Sequence, residues 1–206
     1  FSLLSCIIIC DIDSFYIFII MSKKNFFQNV SLFLFSLIMF SQQNETQKYE
    51  VVKSLENIEI RFYPPSMKAK VSSNRNFSKL FKYISGNNDK NEKIAMTTPV
   101  YMTQTKGKST LEFVFPSKYS IETAALPKDK DIQVYSSKPG YYAAIKFGGY
   151  SNPDKVKTHH QILLKTVKKN NLSVLNEEPI ALSYNSPYKV FNRRNEVLIQ
   201  INYSPN

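Results

Sequence analysis

The stretch IEIRFYPPSMKAKVSSNRNFSKLFKYISG, residues 58–86, decides the fold. Ile58 to Tyr63 is a short β-rich run, Pro64-Pro65 forces a turn, and Met67 to Val71 is a second run of the same kind. Phe77, Leu80, Phe81 and Ile84 then follow the i, i+3, i+4, i+7 spacing of one helical face, and Gly86 is placed to end that helix.

Reading outward, Tyr49 to Val52 precedes this unit, and two strand-like runs, Ile94 to Met102 and Thr110 to Phe115, follow it. The same order then recurs: Ile132 to Tyr135, Tyr141 to Phe147, a helix from Pro153, Ile180 to Tyr184 and Glu196 to Ile201. Asn152 before Pro153 is a good helix start, a capping side chain with proline at the first helical position. Asn170-Asn171 is a stop, and Gly148-Gly149 marks a bend or a close backbone approach. Each ββαββ unit, about 75 residues, is too small to bury a large core alone. The expectation is a single α+β domain with pseudo-two-fold symmetry, built as one antiparallel sheet or barrel covered by two helices.

Composition narrows the class. Hydrophobic residues make up 43%, charged residues 21%, and there are only five glycines and ten prolines. That excludes a collagen-like, fully disordered or polytopic membrane chain. Both cysteines, Cys6 and Cys10, lie in the first ten residues, so the body has no disulfide framework, thiolate metal site or cysteine nucleophile. The first methionine is Met21, followed by Ser22-Lys23-Lys24 and the apolar run Val30 to Phe40. A short basic stretch before such a run fits a secretory signal peptide, and the run is too short for a spanning helix. Residues 1–20 are therefore expected to be translated upstream sequence, 21–41 a signal peptide and 42–206 the functional domain, secreted or periplasmic. The competing reading is an uncleaved anchor. Residues 1–41 hold two lysines and two aspartates, so the rest retains the whole net charge of +11. The lysines are scattered singly and in pairs, which favours a solubilising surface over a nucleic-acid partner.

The only histidines are His159 and His160. Adjacent helical positions diverge by about 100°, so the two cannot hold one ligand together. Against Val156, Leu163 and Val167, His160 falls on the apolar face. It is either a hydrogen-bonded core residue or an axial ligand offering an imidazole nitrogen to a haem iron. Glycine-rich phosphate loops and GxSxG elbows are absent from the sequence. The 13 Tyr, 15 Phe and many lysines suit a core and a solvated surface, or else a cleft for a flat apolar anion.

Three stretches carry a resemblance: FSKLFKYISGNNDKNEKIAMTTPV (77–100), FGGYSNPDKV (147–156) and YNSPYKVFNRRNEVLIQI (184–201). In order and with few gaps, they resemble the SOUL/haem-binding protein family. The resemblance implies a duplicated ββαββ fold forming a distorted eight-stranded antiparallel β-barrel with two long helices. It also implies non-covalent binding of haem or a related tetrapyrrole beside the first helix, without enzymatic chemistry; a monomer is expected. Some family members are suggested to ligate iron through a histidine in a Glu-Ile-Arg-His-Tyr stretch. Here that stretch is Glu59-Ile60-Arg61-Phe62-Tyr63, so this position supplies no ligand. The remaining candidates are Phe77 and Lys82 on the first helix and Lys189 after Pro187, with Phe81 added from helical periodicity and His160 as the metal ligand. Two alternatives stand beside this reading: a fold like the GyrI-type effector-binding domains, which a buried carboxylate in the cleft would favour, and a basic protein- or membrane-interaction module.

Overall fold

The computed structural model describes residues 44–73, 75–105 and 107–205. The expectations for residues 1–20 and 21–41 fall outside them. Among the described residues there are nine strands: β1 (Glu50–Leu55), β2 (Ile58–Tyr63), β3 (Met67–Val71), β4 (Val100–Thr105), β5 (Lys108–Val114), β6 (Ile132–Ser136), β7 (Gly140–Phe147), β8 (Ser173–Ser183) and β9 (Asn195–Asn202). Two helices interrupt them, α1 (Asn76–Ile84) after β3 and α2 (Pro153–Lys169) after β7.

All nine strands join one antiparallel sheet in the order β1-β2-β7-β9-β8-β4-β5-β3-β6. With β1 set aside, β2 to β5 correspond to β6 to β9, and the pairing obeys that correspondence. β3 pairs β5 as β7 pairs β9, and β4 pairs β5 as β8 pairs β9. β2 crosses to β7 as β6 crosses to β3. The central ladder, β4 with β8, maps onto itself.

The sheet is not the expected barrel. A barrel needs its two end strands to pair, whereas β1 bonds only to β2 and β6 only to β3. The free edges carry features that oppose further pairing: β1 is bulged between Val51 and Lys53, and β6 is five residues long and leads into Lys138-Pro139. The two helices are unequal as well, nine residues in α1 and seventeen in α2.

Local chemistry explains the elements. The Asn152 side chain accepts from the Lys155 amide at 2.8 Å, with Pro153 in the first turn of α2, and Asn171 just beyond its end adopts φ 54°. Gly86, φ 114°, stands just beyond the end of α1, and the buried Asn88 side chain donates to the carbonyls of Tyr83 and Glu92. Two strands differ from expectation. β4 begins at Val100 rather than Ile94, because Ile94 is a buried loop residue whose amide bonds to the Ile84 carbonyl. β8 begins seven residues before Ile180, through Asn176-Glu177-Glu178-Pro179, residues that strands disfavour. Its ladder with β9 shifts register there.

Three clusters form the core. Leu80, Tyr83 and Ile84 of α1 pack on Met67, Ala69, Val71, Leu111 and Phe113. Leu163 and Val167 of α2 pack on Ile58, Ile60, Ala143, Val197 and Ile199. The opposite face, on which neither α1 nor α2 packs, curls around Tyr63, Tyr101, Val114, Ala144, Leu182 and Leu198.

Candidate functional site

On the helix-bearing face, α1 packs on β3 and β5 while α2 packs on β7, β8 and β9. β4 lies between them with neither helix above it, and neighbouring strands stand about 4.8 Å apart. A groove results, floored by β4. Its α2 side holds a cavity of about 480 Å³ lined by Met102, Val156, Lys157, His160, Pro179 and Ala181 among others. Nε2 of His160 is buried and has no hydrogen-bond partner. The neighbouring His159 is engaged elsewhere: its ring stacks on Phe147 at 4.5 Å, and Nδ1 lies 2.7 Å from the Lys155 carbonyl oxygen.

The α1 side presents Phe77 and Phe81, each half exposed, stacked at 5.9 Å with 12° between their planes. Phe77 also meets Phe113 of β5 edge-on at 5.6 Å. Lys79 bonds to Asp129 and Asp131, next to the edge strand β6. Phe77 and Phe81 each lie two positions from Lys79, about 200° around the helix, so they face away from β6 and toward β5 and β4. Lys82 is exposed beside Phe81. Lys189 is exposed on the β8–β9 connection and is not among the residues lining the His160 cavity. Thus the expected residues divide: Phe77, Phe81 and Lys82 gather on α1, His160 stands on α2, and Lys189 stands apart. Phe62 meets Tyr141 in a tilted ring pair at 5.1 Å in the β2–β7 ladder and is not among the residues lining this cavity. Met102, Pro179 and Ala181 were not legible as site residues, because only the β4–β8 pairing brings them under His160.

The motif residues on the other face build a buried ionic network. Arg61 pairs with Glu196 at 2.6 Å and with Glu59 at 2.7 Å, and donates to the Tyr63 hydroxyl at 3.1 Å. Arg194 closes on Glu196 at 2.7 Å and lies over the Tyr184 ring at 3.9 Å. The Tyr184 hydroxyl donates to the same carboxylate at 2.9 Å. Burial alone would raise the pKa of Glu196, but hydrogen bonds and charge from Arg61 and Arg194 outweigh it and hold the carboxyl below its ordinary value. Burial pushes the Tyr63 hydroxyl up to about 12 despite the adjacent Arg61. Every member is satisfied within the network, which makes it structural. Asn195 donates from Nδ2 to the Gly149 carbonyl at 2.7 Å, while its Oδ1 is buried without a partner. Among the described residues no three His, Cys, Asp or Glu side chains group as a metal site.

Residues 44–200 match the SOUL heme-binding protein family. The chain belongs to that family. It is 32% identical to Heme-binding protein 2 of Homo sapiens over 136 residues, 61% of this chain and 65% of the relative. It is 27% identical to Heme-binding protein 1 of Xenopus tropicalis over 126 residues, 58% of this chain and 65% of that relative. The match thus spans just under two thirds of each relative's length. Two solved structures share the fold at low identity. The EcmrR C-terminal domain aligns at TM-score 0.53 and 10% identity over 73% of this chain and all of its own, and a hydrolase from Listeria innocua at 0.52 and 7% over 73% and 94%.

Proposed function

We propose that the protein binds haem or a related tetrapyrrole non-covalently, as a carrier, buffer or scavenger without catalytic chemistry, on the helix-bearing face between α1 and α2. The observation that carries this reading is the buried, unpartnered Nε2 of His160 beside Met102, Val156, Pro179 and Ala181. A buried polar nitrogen without a partner calls for one, and the His160 imidazole nitrogen would hold the iron of a haem bound at this cavity. When bound, haem supplies that iron and a broad apolar ring. Phe77 and Phe81 offer ring faces at the α1 border of the groove. Lys157 at the cavity and Lys82 beside the phenylalanines carry the charge to meet propionates. Exposed pairs of that kind contribute only about 0–1 kcal/mol each, so affinity rests on ring burial. Names of the SOUL family and of its haem-binding relatives support the ligand class.

The test is a titration of hemin into the full chain, following the Soret band against a protein-free blank. The reading predicts one-to-one saturation, a changed Soret position in His160→Ala, and weaker binding in Phe77→Ala/Phe81→Ala. A titration without saturation contradicts haem binding, and a His160→Ala spectrum identical to wild type removes His160 as the ligand.

A further inference from the structure

We propose that the curled face holds a second site, for a small flat monocarboxylate such as an aromatic acid, separate from the haem groove. A cavity of about 320 Å³ opens there, lined by Lys68, Tyr101, Glu112, Tyr135, Tyr142 and Gln200 among others. Register places these side chains on one face. Lys68 stands opposite Tyr135, Tyr101 opposite Glu112, and Tyr142 opposite Gln200. The curl then brings the β3–β5–β4 side against the β7–β9 side without closing the space between.

Charge decides the ligand. The Lys68 side chain is only 9% exposed, yet its ammonium, with three donors, makes one long hydrogen bond, 3.4 Å to Glu112. It also lies 3.4 Å from the centre of the Tyr101 ring. Glu112 is already engaged, accepting from the Tyr135 hydroxyl at 3.0 Å as well. Exposed Lys138 lines the same cavity, and Lys70 lies 5.6 Å from the Tyr135 ring centre. Two ammonium groups, those of Lys68 and Lys138, therefore line the cavity against one carboxylate, and the more buried of them has donors to spare. Burial lowers the Lys68 pKa, with Glu112 partly offsetting it, as expected for an ammonium short of partners. A ligand carboxylate supplies the missing acceptor, and the tyrosine rings flank a flat body.

Gly140 supports the reading that this space is built. A Cβ there would stand 3.3 Å from Cε2 of Tyr142 and 3.4 Å from Nε2 of Gln200, so the absence of a side chain lets both cavity-lining residues keep their places. The volume, near the lower limit for small-molecule sites, is smaller than that of the groove cavity.

The test uses benzoate as the probe, with benzylamine as the cation of matching size, followed by NMR of the full chain. Benzoate is expected to shift resonances of Tyr135, Tyr142 and Ile180 saturably, and benzylamine to leave them unmoved. Lys68→Met should weaken benzoate about tenfold or more, as loss of a charge-assisted hydrogen bond does. Lys138→Ala, at an exposed rim position that folding tolerates, should weaken it by a smaller factor. Benzoate binding should persist with hemin present. The proposal is overturned if benzoate causes no saturable shift, if benzylamine binds equally well, if both lysine variants bind like wild type, or if hemin displaces benzoate.

Discussion

The two faces of the sheet solve burial in opposite ways. The helix-bearing face is apolar and covered by α1 and α2, with a gap over β4 where Met102 and His160 line one cavity. Among the described residues no helix covers the other face, which buries Arg61, Glu196 and Lys68 by curling on itself. On the first face, side chains pack against a second layer. On the second, they pack against other strands of the same sheet, and their charges must be paired internally. Open space remains on both, and each cavity carries one of the proposed sites: one holds an unpartnered imidazole nitrogen, the other an under-bonded ammonium.

Breaking the curled face should cost most. Arg61→Ala leaves Glu59 and Glu196 without their shared cation and is expected to destabilise by about 3–5 kcal/mol, measured by urea unfolding. On the helix-bearing face, Leu163→Ala removes a fully buried contact of α2 and should cost about 2–5 kcal/mol in the same assay. The faces should also differ in acid. Glu59 and Glu196 both have lowered folded pKa values. Their stabilisation is therefore complete above the ordinary carboxylate value of 4.5 and is lost as pH falls through the lowered folded values. Glu196→Gln should be less stable than wild type at neutral pH and lose less on acidification. The smallest stability effect belongs to Phe77→Ala, half exposed in the groove, at about 0.5 kcal/mol, with hemin affinity falling far more than stability.

Legibility from sequence followed the same division. The Phe77/Leu80/Phe81/Ile84 stripe and the Asn152-Pro153 start mark α1 and α2 because helical periodicity and capping are local. Periodicity does not say that Leu80 and Ile84 take the core while Phe77 and Phe81 are left half exposed in a groove; the pairing of β4 with β8 and β5 settles that. Barrel closure was misjudged because strand runs carry no statement of which edges pair. The curled face was the least legible region. Alternation in Met67-Lys68-Ala69-Lys70-Val71 separates two faces, and lysine on one of them reads as solvated. Only the curl reveals that Lys68 is buried beside Tyr101 and Glu112. In the same way, the residues of the NRRNEV and EIRFY stretches meet in space as an ion-pair network that no spacing within either stretch announces.

The division of labour between the faces is tested most directly by NMR of the full chain with and without ferric hemin, using the broadening that the paramagnetic iron imposes on nearby signals. Strongest broadening at Met102, Val156, Phe77 and Ala181, with Ile180, Leu182 and Leu198 less affected, is the predicted result. Strongest broadening at the curled-face residues, or at the β8–β9 connection around Lys189, would contradict it.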